Sequence, residues 1–296
     1  MSSQFPIGTI INFCSNDYPF LHSCIQAVKP FSAQILVPVC DHFFDGEKED
    51  AQILNRIYAE NPDVQFLEFP FDTEKGFYGS HSANYWHNLA RMIGRFFLKD
   101  EIKHILFLDC DEIIDSTKFI SWLDTFPLPE YEGVSLANYW YFRECHFQAK
   151  SWEHTPLLVK KEVLDGTILM NPRERLGIYL SLAGNKKDRI VGIDGLPMIH
   201  HYSWVRTKEQ LLRKVASWGH SRDRNWEPLV EEEFSRPFNG TDFVHGYNFN
   251  EVEPFTSIDL SKTPKESTNC DFSHVKKLSS EDVFKIDVSL TFLDQP

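Results

Sequence analysis

Residues 105–112 read Ile-Leu-Phe-Leu-Asp-Cys-Asp-Glu, four apolar side chains running straight into an acidic cluster. A short apolar run that ends on polar residues reads as a buried strand, and side chains at i and i+2 of a strand point the same way. Asp109 and Asp111 can therefore address one ion if the strand frays at its end. Two hard oxygen ligands suit Mg2+ or Mn2+, which keep open positions for water and for phosphate oxygens. The plainer alternative is that acids after a buried strand solvate a turn or cap a helix, here one beginning near Ser116.

The same pattern recurs upstream. Residues 8–14 (GTIINFC), 34–39 (QILVPV), 64–69 (VQFLEF) and 104–108 (HILFL) read as four strands. Between them, residues 18–28 form a helix opened by the polar turn Ser15, Asn16, Asp17, and residues 47–60 form a second that Asn61 and Pro62 stop. Residues 80–98 place Tyr85, Leu89, Met92, Ile93, Phe96 and Phe97 at helical spacing. Strands separated by helices imply right-handed crossovers and a mostly parallel sheet flanked by helices, an α/β fold with a single main domain. Ligands of open sheets bind beyond the carboxyl ends of the strands. Those ends present Asn16 and Asp17, then Asp41, then Asp109 and Asp111.

The second half is less regular. Residues 133–142 (GVSLANYWYF), 155–160 (TPLLVK) and 196–204 (LPMIHHYSW) each read as a strand. Residues 207–218 read as an amphipathic helix with Lys208, Glu209, Arg213 and Lys214 mostly on its exposed side. After about Asn225 the chain turns acidic and rich in Pro, Asn and Ser. The expected organisation is a main domain over residues 1–225 and a partly irregular C-terminal appendage over residues 226–296.

The formal charge of −13 argues against nonspecific binding to nucleic acid or anionic lipid, both driven by Lys and Arg neutralising phosphates, and leaves room only for a local basic pocket. Cysteines at 14, 24, 40, 110, 145 and 270 include no C-x-x-C pair and several fall in expected strands, so free thiols in a reducing compartment are the simpler reading. The polar N-terminus lacks a signal-peptide pattern, and no run of about 20 apolar residues follows. The expected location is cytoplasmic, a luminal domain cut from its anchor being the alternative.

Placed after the fourth strand, Asp109 to Asp111 resembles the DxD motif of GT-A-fold glycosyltransferases, and its setting resembles the family-2-like groups of that superfamily. The resemblance covers roughly residues 8–205 and implies a Rossmann-like nucleotide-diphospho-sugar transferase fold. It implies that residues 12–17 hold the nucleotide base, with Asn16 and Asp17 foremost, and that Asn88 and Arg91 belong to the helix stretch preceding the motif. Asp41, Asp109 and Lys187 complete the expected donor contacts. The stretch Met198-Ile-His-His-Tyr202 is similar to a late strand that supplies a third metal ligand in galactosyltransferase-like members. Neighbours on a strand face opposite sides, so only one of His201, preferred by the motif, and His200 joins the aspartates.

The implied activity is that of a metal-dependent, hexosyltransferase-like enzyme. It moves a sugar from a nucleotide-sugar donor, a UDP-sugar by default, to a hydroxyl of a glycan, lipid or protein. The Glu-Asp pair common in inverting family-2 members is missing between residues 151 and 197. Glu174 and Glu144 are the candidate bases, although the arginines beside Glu174 equally read as ion-pair partners. Lys186, Lys187 and Arg189 read as diphosphate contacts or a solvated loop, and Tyr139, Trp140, Tyr141, Phe142 and Trp152 as a sugar-stacking wall or ordinary core. Two other functions compete: a sugar-nucleotide nucleotidyltransferase, disfavoured by the lack of a Gly-rich basic loop after the first strand, and a non-catalytic sugar-binding or scaffold protein. Crowded acids at a metal site repel one another, so Asp111→Asn is expected to leave the fold nearly intact.

Overall fold

The computed structural model describes residues 6–71, 83–265 and 271–291. The first residues of the chain, positions 80–82 of the expected third helix, polar positions 266–269 and Cys270 lie outside the described residues.

The first half alternates as its apolar runs require: β1 (Ile7–Asn12), α1 (Tyr18–Val28), β2 (Ser32–Cys40), α2 (Ala51–Glu60), β3 (Gln65–Phe69), α3 (Ala83–Phe97) and β4 (His104–Asp109). Helix α2 starts later than residue 47 because the Asp50 side chain accepts from the amides of Gln52 and Ile53 and fixes the N-cap. The acid segment then leads into β5 (Glu112–Ile114) and α4 (Ser116–Leu123). The cap of α4 is Asp115, whose carboxylate accepts from Lys118 N, so neither Asp109 nor Asp111 is used for capping.

There follow β6 (Gly133–Leu136), β7 (Asn138–Phe142), β8 (Glu144–Glu153), β9 (Leu157–Lys160), α5 (Gly166–Leu169), α6 (Glu174–Ser181), β10 (Lys186–Ile190), β11 (Ile199–Trp204) and α7 (Lys208–Ser217). The last elements are α8 (Trp226–Phe234), β12 (Phe249–Glu251), β13 (Val275–Lys277) and α9 (Ser280–Thr291).

The larger sheet has the order β10-β6-β9-β4-β1-β2-β3-β13, and only β9 runs against the others. Strand order reverses beside β1, which pairs with β2 on one side and β4 on the other, and opens a crevice at the carboxyl ends. Along β1, Ile7 and Ile11 pack with Phe20, Ile57 and Phe119 on one face, while Ile10 packs with Met92, Ile93 and Phe107 on the other. Each such fully buried side chain contributes roughly 1.5–3 kcal/mol relative to exposure. Helix α3 lies so close over β1 that a Cβ at Gly94 would come within 2.7 Å of Ile10.

The smaller sheet has the order β12-β8-β7-β11-β5. Residues 133–142, expected as one strand, are two strands in different sheets: Ala137 N donates to Ile190 O at 2.8 Å, and beyond it β7 leaves the larger sheet to pair with β11. A continuous apolar run carries no sign of such a switch. Helices α7 and α8 cover the smaller sheet through Leu211, Val215, Trp226 and Val230, which pack on Trp140, Phe142 and Trp204. The residues past Asn225, expected as partly irregular, supply α8, edge strands to both sheets, and α9, whose Ile286 is buried with Leu278 in the core under α3. No helix among the described residues is long and apolar enough to cross a membrane.

Candidate functional site

A cavity of about 1210 Å³ opens beyond the carboxyl ends of β1, β2 and β4. Asn12, Cys14, Asn16 and Asp17 line it from the end of β1, and Asp109 and Asp111 from the end of β4. Its other walls carry Glu174 and Arg175 of α6, His201 and Ser203 of β11, and Lys214 of α7.

Backbone pairing sews the acid segment into both sheets. Cys110 N donates to Asn12 O at 3.0 Å, and Tyr202 N donates to Asp111 O at 2.9 Å. Strand β5 lies antiparallel to β11 in a register that sets Glu112 opposite His201. The two histidines then part. His201 Nε2 lies 3.3 Å from Asp111, whereas His200 turns to the other side, where Nδ1 meets the Tyr141 hydroxyl at 2.7 Å and the ring stacks on Phe255.

The acids of this segment are met by cations on every side. Arg175 donates to both oxygens of Glu112 and, at 2.8 Å, to Asp109 Oδ2, while Arg91 lies 3.4 Å from Asp109 Oδ1. Arg206 donates to Asp111 Oδ2 at 2.7 Å and to Asp17 Oδ1 at 2.5 Å, and Lys214 Nζ donates to Asp111 Oδ2 at 3.2 Å. Burial by itself drives a carboxyl pKa up. At Asp109 it is outweighed by Arg175 and Arg91, which hold the group down to about 2. At Asp111, Lys214, Arg206 and His201 outweigh burial and hold the carboxyl well below its ordinary range. Burial lowers His201, but its bond to Asp111 and the charge of Glu112 more than reverse this, and its pKa is raised. His200 lacks such acids, and burial pushes it down to about 3.

The expected donor residues divide into two groups. Asn16, Asp17 and Asp109 line the cavity. Asn88 and Arg91 lie behind it, 1% exposed each: Asn88 donates to Asn171 O at 2.7 Å and accepts from Arg91, which also pairs with Glu174 at 3.1 Å. Asp41 is not brought to the cavity, because its carboxylate accepts from Phe71 N and pairs with His42, both at 2.7 Å. Lys187 is exposed on the edge strand β10; its neighbours Asp188 and Arg189 reach the cavity wall instead. Glu144 is an exposed residue at the start of β8, 3.6 Å from His146, and lies away from the lining. Of the aromatic set, Trp140 and Trp152 line the cavity, while Tyr141 and Phe142 are core.

Among the described residues, no group of three or more His, Cys, Asp or Glu could hold a metal ion. The physical reason is the pairing above: both oxygens of Asp109 and both of Asp111 already face cationic side chains or the His201 ring. Asp109, Asp111 and His201, expected as a metal set, line the same cavity with each carboxylate paired to cationic side chains, while His200 turns to the other side of β11. Arg175, Arg206 and Lys214 are the residues that sequence reasoning passed over as site residues. Lys214 was expected on the exposed side of its helix, yet its side chain is 15% exposed and faces Asp111. Arg206 did carry a signal, a charged residue two positions past a buried strand and thus at a sheet's end.

No family model matches the chain, and no curated protein matches it. The solved structures that resemble it in part include the following three. A 4-diphosphocytidyl-2C-methyl-D-erythritol synthase from Anaerococcus prevotii is 10% identical, with 70% of this chain and 94% of that one covered and a TM-score of 0.42. The glycosyltransferase GlyE of Streptococcus pneumoniae is 11% identical, with 78% and 64% covered and a TM-score of 0.38. Glucosyl-3-phosphoglycerate synthase of Mycobacterium tuberculosis, solved with Mn2+, UDP and phosphoglyceric acid, is 14% identical, with 89% and 90% covered and a TM-score of 0.37.

Proposed function

We propose that the chain is a GT-A-like glycosyltransferase that moves a sugar from a nucleotide-sugar donor, a UDP-sugar by default, to a hydroxyl of a glycan, lipid or protein. The observation that carries this reading is the position of the cavity. It lies past β1 and β4, where the strand order reverses, with Asn16 and Asp17 on one wall and the acid segment on another. Asn16 and Asp17 are the proposed nucleoside contacts, and Asn88 and Arg91 position Asp109 and Glu174 from behind. The rings of Trp140 and Trp152 are proposed to meet the apolar face of a sugar.

In the proposed reaction the acceptor oxygen attacks the anomeric carbon, and the bond from that carbon to the diphosphate breaks with its electron pair leaving on the diphosphate. The acceptor proton passes to Glu174. Burial raises the pKa of Glu174, but His87, Arg91 and Arg175 more than cancel the rise and lower it, so the group is ionised at neutral pH and able to accept. Glu144, exposed and off the cavity, has no support as base. A resident Mn2+ or Mg2+ does not fit the paired aspartates as they stand, and no step is routed through one. A cytoplasmic setting is part of the same reading, supported by the free thiols of Cys14, Cys24, Cys40, Cys110 and Cys145.

A thermal-shift series with UDP, GDP, CDP and their glucose conjugates tests the reading. A ligand at 100 times its Kd stabilises the folded state by about 2.7 kcal/mol. A dose-dependent rise in Tm with at least one nucleotide is expected; a flat response across the whole series overturns the nucleotide site.

A further inference from the structure

We propose that Lys214, backed by Arg206, occupies the place opposite Asp111 that the DxD pattern assigns to a divalent cation, so that a nucleoside diphosphate binds this site without a metal ion. The proposal rests on the reading of the cavity as a nucleotide-sugar site and deepens it by naming what meets the diphosphate.

Asp111 Oδ2 receives hydrogen bonds from Arg206 Nη2 at 2.7 Å and Lys214 Nζ at 3.2 Å, and its Oδ1 faces His201 Nε2 at 3.3 Å. A magnesium ion requires near-octahedral oxygen ligands at about 2.0–2.1 Å. To take Asp111 through Oδ2 it would have to displace two cationic side chains, and through Oδ1 it would have to part the carboxylate from His201 Nε2. Arg206 is not placed to yield. Its side chain has no exposure, it also donates to Asp17 at 2.5 Å and to the carbonyls of Tyr202 and Ser203, and its guanidinium lies 4.8 Å from the centre of the Phe20 ring. Stripped of Asp111, that buried charge would keep only part of its compensation.

Lys214 differs from Arg206 in one respect: it lines the cavity. Its Nζ donates to Ser203 Oγ at 2.9 Å and to Asp111 at 3.2 Å. An ammonium group carries three donors, so one remains for an anionic oxygen. Arg206 and Lys214 together balance the charges of Asp17 and Asp111, so what Lys214 offers the cavity is an ammonium N–H donor held in place by Arg206 from behind. An ammonium beside a departing diphosphate stabilises its developing charge as a bound cation would. The arrangement is held by α7, whose Thr207 and Gln210 form a reciprocal capping box at its start.

The test is calorimetric titration of UDP, GDP, CDP and ADP into the full chain, once with EDTA and once with Mn2+. For the nucleotide that binds, equal affinity within about twofold in the two buffers is expected. Lys214→Met, which keeps the apolar stem and removes the ammonium, should weaken binding at least tenfold, and Lys214→Arg should restore part of the loss. Binding that requires Mn2+, or a Lys214→Met chain that binds as the wild type does, overturns the proposal and leaves the nucleotide site standing. Absence of binding by all four nucleotides in both buffers overturns the nucleotide site and the proposal with it. The EDTA comparison uses the unaltered protein, so it holds even if the Met variant fails to fold.

Discussion

Arg206 lies 2.7 Å from Asp111, and this pair joins the end of β11 to the acid segment that follows β4. The contact reverses an expectation. Crowded acids should repel, so neutralising one should cost little; Asp111 instead sits among Arg206, Lys214 and His201 with 3% exposure. Asp111→Asn should therefore destabilise the fold by about 3–5 kcal/mol, the usual cost of breaking a buried pair by removing one partner. Urea unfolding measures this, and a loss under 1 kcal/mol would contradict the pairing.

Arg175 makes the corresponding cluster on the other side. Its bidentate bond to Glu112, which is fully buried, and its bond to Asp109 use the planar fork that lysine lacks. Arg175→Lys should lose roughly 2 kcal/mol, the size of a hydrogen bond to a charged group, and Arg175→Ala more, with the Glu112 carboxylate left to Asp109 N and Thr155 Oγ1. The ranking is what matters: equal stability of the Lys variant and the wild type would show that the fork geometry is irrelevant.

The acid limb of stability should carry a histidine. His104, buried at the start of β4, is pushed down to about 4 by burial and by the charge of Lys160. Its folded pKa is below an unfolded value near 6.5. Stability linked to it is therefore complete above about pH 6.5 and is lost as pH falls towards 4, by about 3 kcal/mol in all. Urea midpoints across that window should fall more steeply for the wild type than for His104→Leu; parallel curves would remove His104 from the account.

Truncation tests the role of the last third of the chain. A protein ending at Asn225 loses α8, whose Trp226 and Val230 cover Trp204, and loses edge strands from both sheets. It should lose cooperative thermal unfolding and bind a dye specific for exposed apolar surface. A sharp transition with an unchanged midpoint would make the segment an appendage after all.

The first half of the fold was legible because each strand is a short apolar run closed by polar residues. Helix α1 falls on the expected residues 18–28 because a polar turn marks its start. Strand β8 was missed because its residues are largely polar and half-buried or exposed, with Ala149 its one buried residue. Strand β5 was missed because three residues after an acidic pair carry no periodicity. The acids were legible from strand ends, a local feature. Their partners were not: Arg175 and Arg206 are 63 residues or more from the acids they meet, joined only by the packing of α6 and β11 on the sheet end. Paired aspartates at a strand end fit a metal site and an ion-pair cluster equally well until those partners are in place.

The most direct test of the account is which donor bond the protein breaks. Full-length chain is incubated with a panel of UDP-, GDP- and CDP-sugars, with pyrophosphate present in a parallel series, and products are followed by phosphorus NMR. Glycosyl transfer predicts release of the nucleoside diphosphate from at least one donor, with the sugar found on water or an added acceptor, and loss of that release in Glu174→Gln. Donors that stay intact throughout, or that yield nucleoside triphosphate and sugar 1-phosphate when pyrophosphate is supplied, would contradict it.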